Sequence, residues 1–137
     1  MPIRALRPTS VYVHFPWCAR KCPYCDFATR RLDPGAVPHE AYVDAVGREL
    51  AERDLAGRSL VSVFFGGGTP SLWDPPALGR ALARIRAAFP AEADDLEVTT
   101  ECNPSSFAED RRAADGEVGL GRGCGGAHRP RDAGLRA

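Results

Sequence analysis

The residues best suited to chemistry are three cysteines in one short stretch near the start of the chain. Cys18, Cys22 and Cys25 follow the spacing C-x3-C-x2-C, and the nearby Arg20 and Lys21 favour thiolate over thiol. In a reducing compartment, clustered thiolates more often hold metal than form disulfides. Iron–sulfur clusters normally take four cysteine ligands. Three thiolates can therefore hold three irons of a [4Fe–4S] cube and leave the fourth iron free for a substrate or cofactor.

The cysteine spacing alone leaves two other interpretations open. The three thiolates could form a zinc site completed by His14 or His39, or they could be reduced thiols without a metal. Of the remaining cysteines, Cys102 is expected to be a small buried residue, whereas Cys124 lies in a polar segment and receives no role.

A glycine run and a glutamate are weaker candidates for a binding site. Gly66, Gly67 and Gly68 follow an apolar run, and glycines without Cβ atoms let a backbone approach a ligand closely. The run is not a phosphate-binding P-loop, because no Gly-Lys-Ser/Thr follows it. Glu101, taken alone, is more simply a solvated carboxylate at a strand end, although its charge could also pair with a ligand ammonium group.

Hydrophobic patterning predicts alternating strands and helices that would position these motifs. Strands are predicted at residues 11–15, 60–65 and 96–101, the second being covered on both faces. Amphipathic helices are predicted over residues 38–55 and 75–89.

The second helix has clear end signals, with Asp74 as its N-cap, Pro75 as its first residue and Pro90 as its stop. This order of elements predicts an α/β fold with a parallel sheet, in which ligands bind at the carboxyl ends of the strands. All three motifs fall at that edge.

Composition limits the class of protein. The 137 residues carry 18 basic and 18 acidic side chains, so no net charge favours binding to nucleic acid. No apolar stretch approaches the roughly 20 residues of a transmembrane helix, and the start lacks a secretory apolar region. We therefore expect a cytoplasmic protein without a transmembrane segment.

The motifs together resemble the radical S-adenosylmethionine (SAM) superfamily, and within it the oxygen-independent coproporphyrinogen III oxidase-like branch that includes the heme chaperones. The resemblance extends over residues 9–110. It is carried by three segments in the family's order, which are residues 12–27 (YVHFPWCARKCPYCDF), residues 66–71 (GGGTPS) and residues 101–104 (ECNP).

The resemblance implies cofactors and residue roles. A [4Fe–4S] cluster would be held by Cys18, Cys22 and Cys25. Its free iron would bind SAM, and one electron would break the sulfonium bond to give methionine and a 5′-deoxyadenosyl radical. The residues implied to contact the cluster or SAM are Tyr12, Tyr24, Gly67, Gly68, Thr69 and Glu101.

The resemblance also implies a role in heme metabolism, with heme or a porphyrinogen as partner and an electron donor for the cluster. Asp26-Phe27 replaces a further cysteine that the true coproporphyrinogen oxidases carry two residues beyond the third ligand. This replacement favours a heme chaperone over the alternative, oxidative decarboxylation of coproporphyrinogen III. His14 could meet the cofactor pocket or serve a structural hydrogen bond.

The chain departs from the family pattern after Asp110. A complete βα barrel takes roughly 250 residues, so we expect residues 1–110 to form the N-terminal part of a TIM-type radical SAM barrel. Residues 111–137 are rich in Gly and Arg without periodicity, which predicts a disordered tail or one translated out of frame. We expect such a product not to be catalytically competent.

Overall fold

The computed structural model of the chain describes residues 5–18 and 28–101. Within these ranges the three long strands alternate with two helices as the sequence predicts, and two short strands that were not predicted follow the first long strand. The elements are β1 (Arg7–Phe15), β2 (Trp17–Cys18), β3 (Arg30–Arg31), α1 (His39–Ala51), β4 (Arg58–Gly67), α2 (Pro75–Ala88) and β5 (Ala91–Thr100).

The predicted boundaries differ from the observed ones because pairing extends the strands and a tight turn shortens α1. Strand β1 begins at Arg7, four residues before the predicted start, because Arg7 already pairs with Arg58 of β4. Helix α1 ends at Ala51 rather than near residue 55. The amide of Glu52 bonds the carbonyl of Glu49 at 3.3 Å, which closes the last turn.

The three long strands form one parallel sheet in the order β1-β4-β5, which confirms the predicted parallel arrangement. The carboxyl ends of all three strands consequently lie along one edge of the sheet. Strands β2 and β3 form a separate two-stranded parallel sheet close to that edge.

The sheet buries one face in the hydrophobic core. Val13 and Phe15 of β1, Val63 and Phe65 of β4 and Val98 of β5 are all buried there. They pack with the apolar sides of the two helices, of which Val43 and Ile85 are fully buried members.

The opposite face of the sheet carries polar and aromatic side chains instead. Tyr12 is exposed and Phe64 is only half-buried on this face, and the hydroxyl of Ser62 donates a 2.8 Å hydrogen bond to that of Ser10. The prediction that β4 is covered on both faces is therefore wrong for the described residues. Polar and aromatic side chains at alternate positions of β4 and its neighbours leave this face accessible.

Helix α2 begins as its sequence predicts. The carboxylate of Asp74 accepts a 3.2 Å hydrogen bond from the amide of Ala77, which satisfies one of the unpaired donors at the helix start. Between the helices, Arg84 forms a 3.0 Å ion pair with Asp44, and Arg80 pairs with Glu40.

Strand β5 lies at one edge of the sheet in the described part of the chain. Its exposed positions include four acidic residues, namely Glu92, Asp94, Asp95 and Glu97. The bidentate contact of Arg86 with Glu92, at 2.5 and 2.9 Å, joins the start of this strand to α2.

No helix in residues 5–18 and 28–101 combines the length and apolar character needed to cross a bilayer. The expectations for Cys102, for Cys124 and for the tail over residues 111–137 lie outside the described residues. The division into residues 1–110 and 111–137 stays a prediction.

Candidate functional site

The three predicted motifs meet at the carboxyl edge of the sheet through direct backbone hydrogen bonds. The amide of Gly68 donates to the carbonyl of Phe15 at 2.7 Å, and the amide of Thr69 donates to that of Trp17 at 2.8 Å. On the other side of β4, the amide of Glu101 donates to the carbonyl of Phe65 at 2.9 Å. The segments bearing the first cysteine, the glycines and the glutamate are thus one connected unit.

Cys18 is held at the base of the cysteine segment. Its side chain is buried, its thiol is free, and Cys18 pairs with Arg31 in the small β2–β3 sheet. The amide of Leu32 donates to the carbonyl of Cys18 at 2.9 Å, and that of Arg30 donates to Pro16 at 2.7 Å. These bonds join the residues before and after the cysteine segment.

Two positions of the glycine run require glycine because neighbouring parts of the chain lie too close for a Cβ atom. A Cβ on Gly68 would lie 2.4 Å from the carbonyl oxygen of Trp17 and 3.0 Å from the sulfur of Cys18. Gly67 has φ of 111°, a conformation that L side chains rarely adopt, and a Cβ there would lie 2.7 Å from the ring of His14. The structure therefore gives a steric reason for glycine at both positions, which the sequence alone could not.

Glu101 reaches back to the glycine run. Its carboxylate accepts a 3.2 Å hydrogen bond from the amide of Gly67, so it lies at the same edge as Cys18 and the glycines. Partial burial raises the pKa of the Tyr12 phenol, and the negative charge of Glu101 raises it further. Tyr12 therefore keeps its proton at neutral pH and remains a hydrogen-bond donor.

Tyr12 lies on the accessible face of the sheet beneath this edge. Its side chain is 58% exposed and stacks on Phe64, with ring centroids 5.9 Å apart. Its hydroxyl lies 3.1 Å from Nδ1 of His14, whose Nε2 lies 2.8 Å from the carbonyl oxygen of Ala28. The sequence left two roles open for His14, a contact with the cofactor pocket or a structural hydrogen bond, and the structure shows hydrogen-bond contacts at both ring nitrogens.

An aromatic cluster behind Cys18 was not predicted from the sequence. Trp73 is fully buried and stacks on Phe15, with ring centroids 5.3 Å apart, and Tyr42 lies between Trp73 and Trp17 at 5.1 and 5.0 Å. The hydroxyl of Tyr42 donates to the carbonyl of His14. Burial, followed by the charge of Glu49 and the proximity of Tyr12, raises the pKa of Tyr42 to about 12, so the phenol stays a donor.

Three of the predicted site residues, Cys22, Tyr24 and Cys25, lie outside the described residues. In the described ranges, no group of three or more His, Cys, Asp or Glu side chains is arranged to hold a metal ion.

The two histidines considered for zinc make hydrogen bonds in the structure. Both ring nitrogens of His14 are engaged, and Nδ1 of His39 accepts a 3.0 Å hydrogen bond from the amide of Asp74 at the start of α2. A zinc ion at either nitrogen of His14 would have to displace one of its contacts.

Comparison with known proteins agrees with this arrangement. The sequence model of the radical SAM superfamily matches residues 12–116. The heme chaperone HemW of Escherichia coli strain K12 is 43% identical over 120 residues, which cover 85% of this chain and 31% of the chaperone. Radical S-adenosyl methionine domain-containing protein 1 of Bos taurus, a mitochondrial protein, is 36% identical over 88% of this chain and 27% of its own length.

A solved structure resembles this chain as well. Coproporphyrinogen III oxidase (HemN) from Escherichia coli, described as a radical SAM enzyme, superimposes with a TM-score of 0.73 at 27% sequence identity. The match covers 86% of this chain and 27% of the oxidase. The chain thus spans about a third or less of the length of these relatives.

Replacing Gly68 by alanine tests the steric constraint. We expect Gly68→Ala to lower the midpoint of thermal unfolding, because its Cβ would collide with backbone atoms of Trp17 that cannot move independently of β2. Gly57→Ala is the matched control, since a Cβ at Gly57 meets nothing within 4 Å. Circular dichroism on both variants measures the effect. Equal midpoints would contradict the close approach.

Proposed function

Because the chain belongs to the radical SAM superfamily, whose members use a [4Fe–4S] cluster together with SAM, we propose that it binds both at the carboxyl edge of its sheet. The observation that carries this proposal is the hydrogen-bonded junction of the three motifs. The residues just before Cys18, the glycine run and Glu101 lie at the ends of three different strands, yet they are joined by hydrogen bonds of 2.7 to 3.2 Å.

Cys18, Cys22 and Cys25 are the proposed cluster ligands. The described donor fits such a cluster, because the thiol of Cys18 is buried and free and lies beside glycines rather than side chains that would fill the space. When bound, the cluster supplies the electron that cleaves the carbon–sulfur bond of SAM. The protein's part is to leave one iron without a side-chain ligand and to keep water from the cluster.

The proposed SAM contacts surround that position. Glu101 offers a carboxylate for the ammonium group of SAM or for a ribose hydroxyl, and its bond to the amide of Gly67 orients it. Gly67, Gly68 and Thr69 are further proposed contacts by family resemblance. Tyr12 offers a ring face from the accessible side of the sheet. Tyr24 completes the set by family resemblance.

For the intact activity we propose heme carriage in heme metabolism. This is supported by the name of the heme chaperone relative and by Asp26-Phe27 in place of the further cysteine. The alternative, oxidative decarboxylation of coproporphyrinogen III, is supported by the structural likeness to the oxidase. Heme or a porphyrinogen would be the partner, together with a one-electron donor for the cluster. The proposed location is the cytoplasm.

Anaerobic reconstitution with ferrous iron and sulfide tests the cluster. We expect a brown protein with about four iron and four sulfide ions per chain. Cys18→Ser, Cys22→Ser and Cys25→Ser should each lose most of the iron, since each removes one of three thiolate ligands. Cys124→Ser is the control and should keep it. A colourless wild-type chain, or iron retained in all three serine variants, would refute the proposal.

The SAM site is tested at Glu101. We expect Glu101→Gln to weaken SAM binding to the reconstituted protein roughly ten- to hundredfold, the effect of losing a charged hydrogen bond worth about 1.5–3 kcal/mol. Glu97→Gln removes the same charge from an exposed position earlier on β5 and should bind SAM like the wild type. Equilibrium dialysis with labelled SAM gives both affinities. If the two variants lose the same SAM affinity, Glu101 is not a specific contact of the SAM site.

Hemin titration and carbon dioxide release separate the two heme activities. We expect the reconstituted chain to shift the absorbance of added hemin and to release no carbon dioxide from coproporphyrinogen III. The Escherichia coli heme chaperone HemW, of which this chain covers 31%, is the positive control for hemin. Release of carbon dioxide would favour the oxidase, and failure to bind hemin where the control binds it would reject heme carriage by these residues.

A further inference from the structure

His14 is held on three sides although no site role has been assigned to it. Its Nε2 lies 2.8 Å from the carbonyl oxygen of Ala28, and its Nδ1 lies 3.1 Å from the hydroxyl of Tyr12. The third side is Gly67, where a Cβ would lie 2.7 Å from the ring. We propose that His14 is a positioning residue that anchors Ala28, which follows the cysteine segment in the sequence, to the sheet and thereby supports iron binding by the proposed cysteine ligands.

The hydrogen-bond directions follow from the atoms involved. A carbonyl oxygen can only accept, so the Nε2 of His14 carries the proton and donates it to Ala28. In the neutral ring Nδ1 is then an acceptor, and the hydroxyl of Tyr12 donates to it. Tyr12 therefore selects the tautomer that can bind Ala28. Each of the two contacts supports the other.

Ala28 lies just after the proposed cysteine ligands in the sequence, so its contact with His14 bears on the cluster site. Two of the three proposed sulfur ligands, Cys22 and Cys25, lie between Cys18 and Ala28 in the sequence. Cys18 is fixed at the entry of this stretch by its pairing with Arg31. His14 adds a side-chain bond at the exit, so both ends of the stretch are tied to the same framework.

The backbone of His14 is itself well anchored, which makes the ring a firm attachment point. His14 pairs with Gly66 in the central ladder of the sheet, and its carbonyl accepts the hydroxyl of Tyr42. An imidazole on a paired strand with both nitrogens engaged has little rotational freedom. The anchoring of Ala28 stands on this geometry alone, whereas its effect on iron binding rests on the proposed function.

Proteolysis of the metal-free chain tests the anchor. Lys21 is the only lysine in the sequence, so a lysine-specific endoproteinase cuts the full 137-residue chain only after this residue, between the proposed ligands. His14→Phe keeps a planar ring but has no donor. We expect it to be cut roughly three- to tenfold faster than the wild type, the factor for loss of one net hydrogen bond. His14→Gln places an amide N–H near the Nε2 position and should restore the slow cleavage.

Two further variants control for general destabilisation. Ser62→Ala removes a hydroxyl from the same face of the sheet without touching Ala28 and should be cut at the wild-type rate. Tyr12→Phe removes only the hydroxyl that orients His14, and we expect faster cleavage at an unchanged thermal midpoint. If His14→Phe does not fold, the cleavage rate of Tyr12→Phe still tests the contact between His14 and Ala28. Wild-type rates in Tyr12→Phe and His14→Phe, or cleavage of His14→Gln as fast as that of His14→Phe, would overturn the anchor.

Iron content distinguishes failure of this inference from failure of the proposed function. After reconstitution, His14→Phe should hold less iron than the wild type and His14→Gln should recover it, with a matching change in the visible spectrum. If the wild type binds no cluster while the cleavage pattern holds, the proposed function fails and the anchor of Ala28 stands. If the wild type and both variants bind iron equally, the inferred effect of His14 on iron binding is wrong.

Discussion

The site depends on one steric constraint, the passage of the glycine run directly against the backbone that leads to Cys18. The amides of Gly68 and Thr69 bond the carbonyls of Phe15 and Trp17 at 2.7 and 2.8 Å, and this proximity leaves no room for a Cβ on Gly68. These bonds continue the pairing of β1 and β4 beyond the end of the sheet. The first cysteine is consequently positioned by the sheet itself.

Parallel topology brings the three motifs to one edge of the sheet within a short stretch of chain. Strands β1, β4 and β5 each deliver one motif to the same edge, and the helices between them return the chain to the opposite edge. The core underneath consists mostly of residues outside the motifs, such as the fully buried Phe65 and Ile85, although Phe15 of the first motif also belongs to it. Sequence change at the edge can therefore alter chemistry without disturbing the packing that supports it.

The order of elements and the start of α2 were predictable because their signals are local. Asp74 followed by prolines is sufficient to mark a helix start, and the structure places its carboxylate on the amide of Ala77. The meeting of Cys18 with Gly68 was predictable only as far as parallel topology requires a common edge. The actual contact depends on the register of β1 against β4, which cannot be read from a single sequence.

What sequence reasoning missed are contacts between residues far apart in the chain. His14 and Ala28 are 14 residues apart in the sequence, and Tyr42 reaches the carbonyl of His14 across the gap between α1 and β1. No fixed spacing in the sequence predicts hydrogen bonds between such distant residues. The accessible face of β4 was also missed, because an apolar run that contains Phe64 does not reveal that Phe64 pairs with Tyr12 and Thr99 on the neighbouring strands.

The acidic residues on β5 have a consequence for behaviour at high concentration. An edge strand with unpaired amides and carbonyls invites a strand from another molecule. Here two such strands would bring Glu92, Asp94, Asp95 and Glu97 of each copy together, and like charges facing each other oppose that pairing. Resistance to pairing at this edge is thus electrostatic in origin, so high ionic strength weakens it by screening the charges.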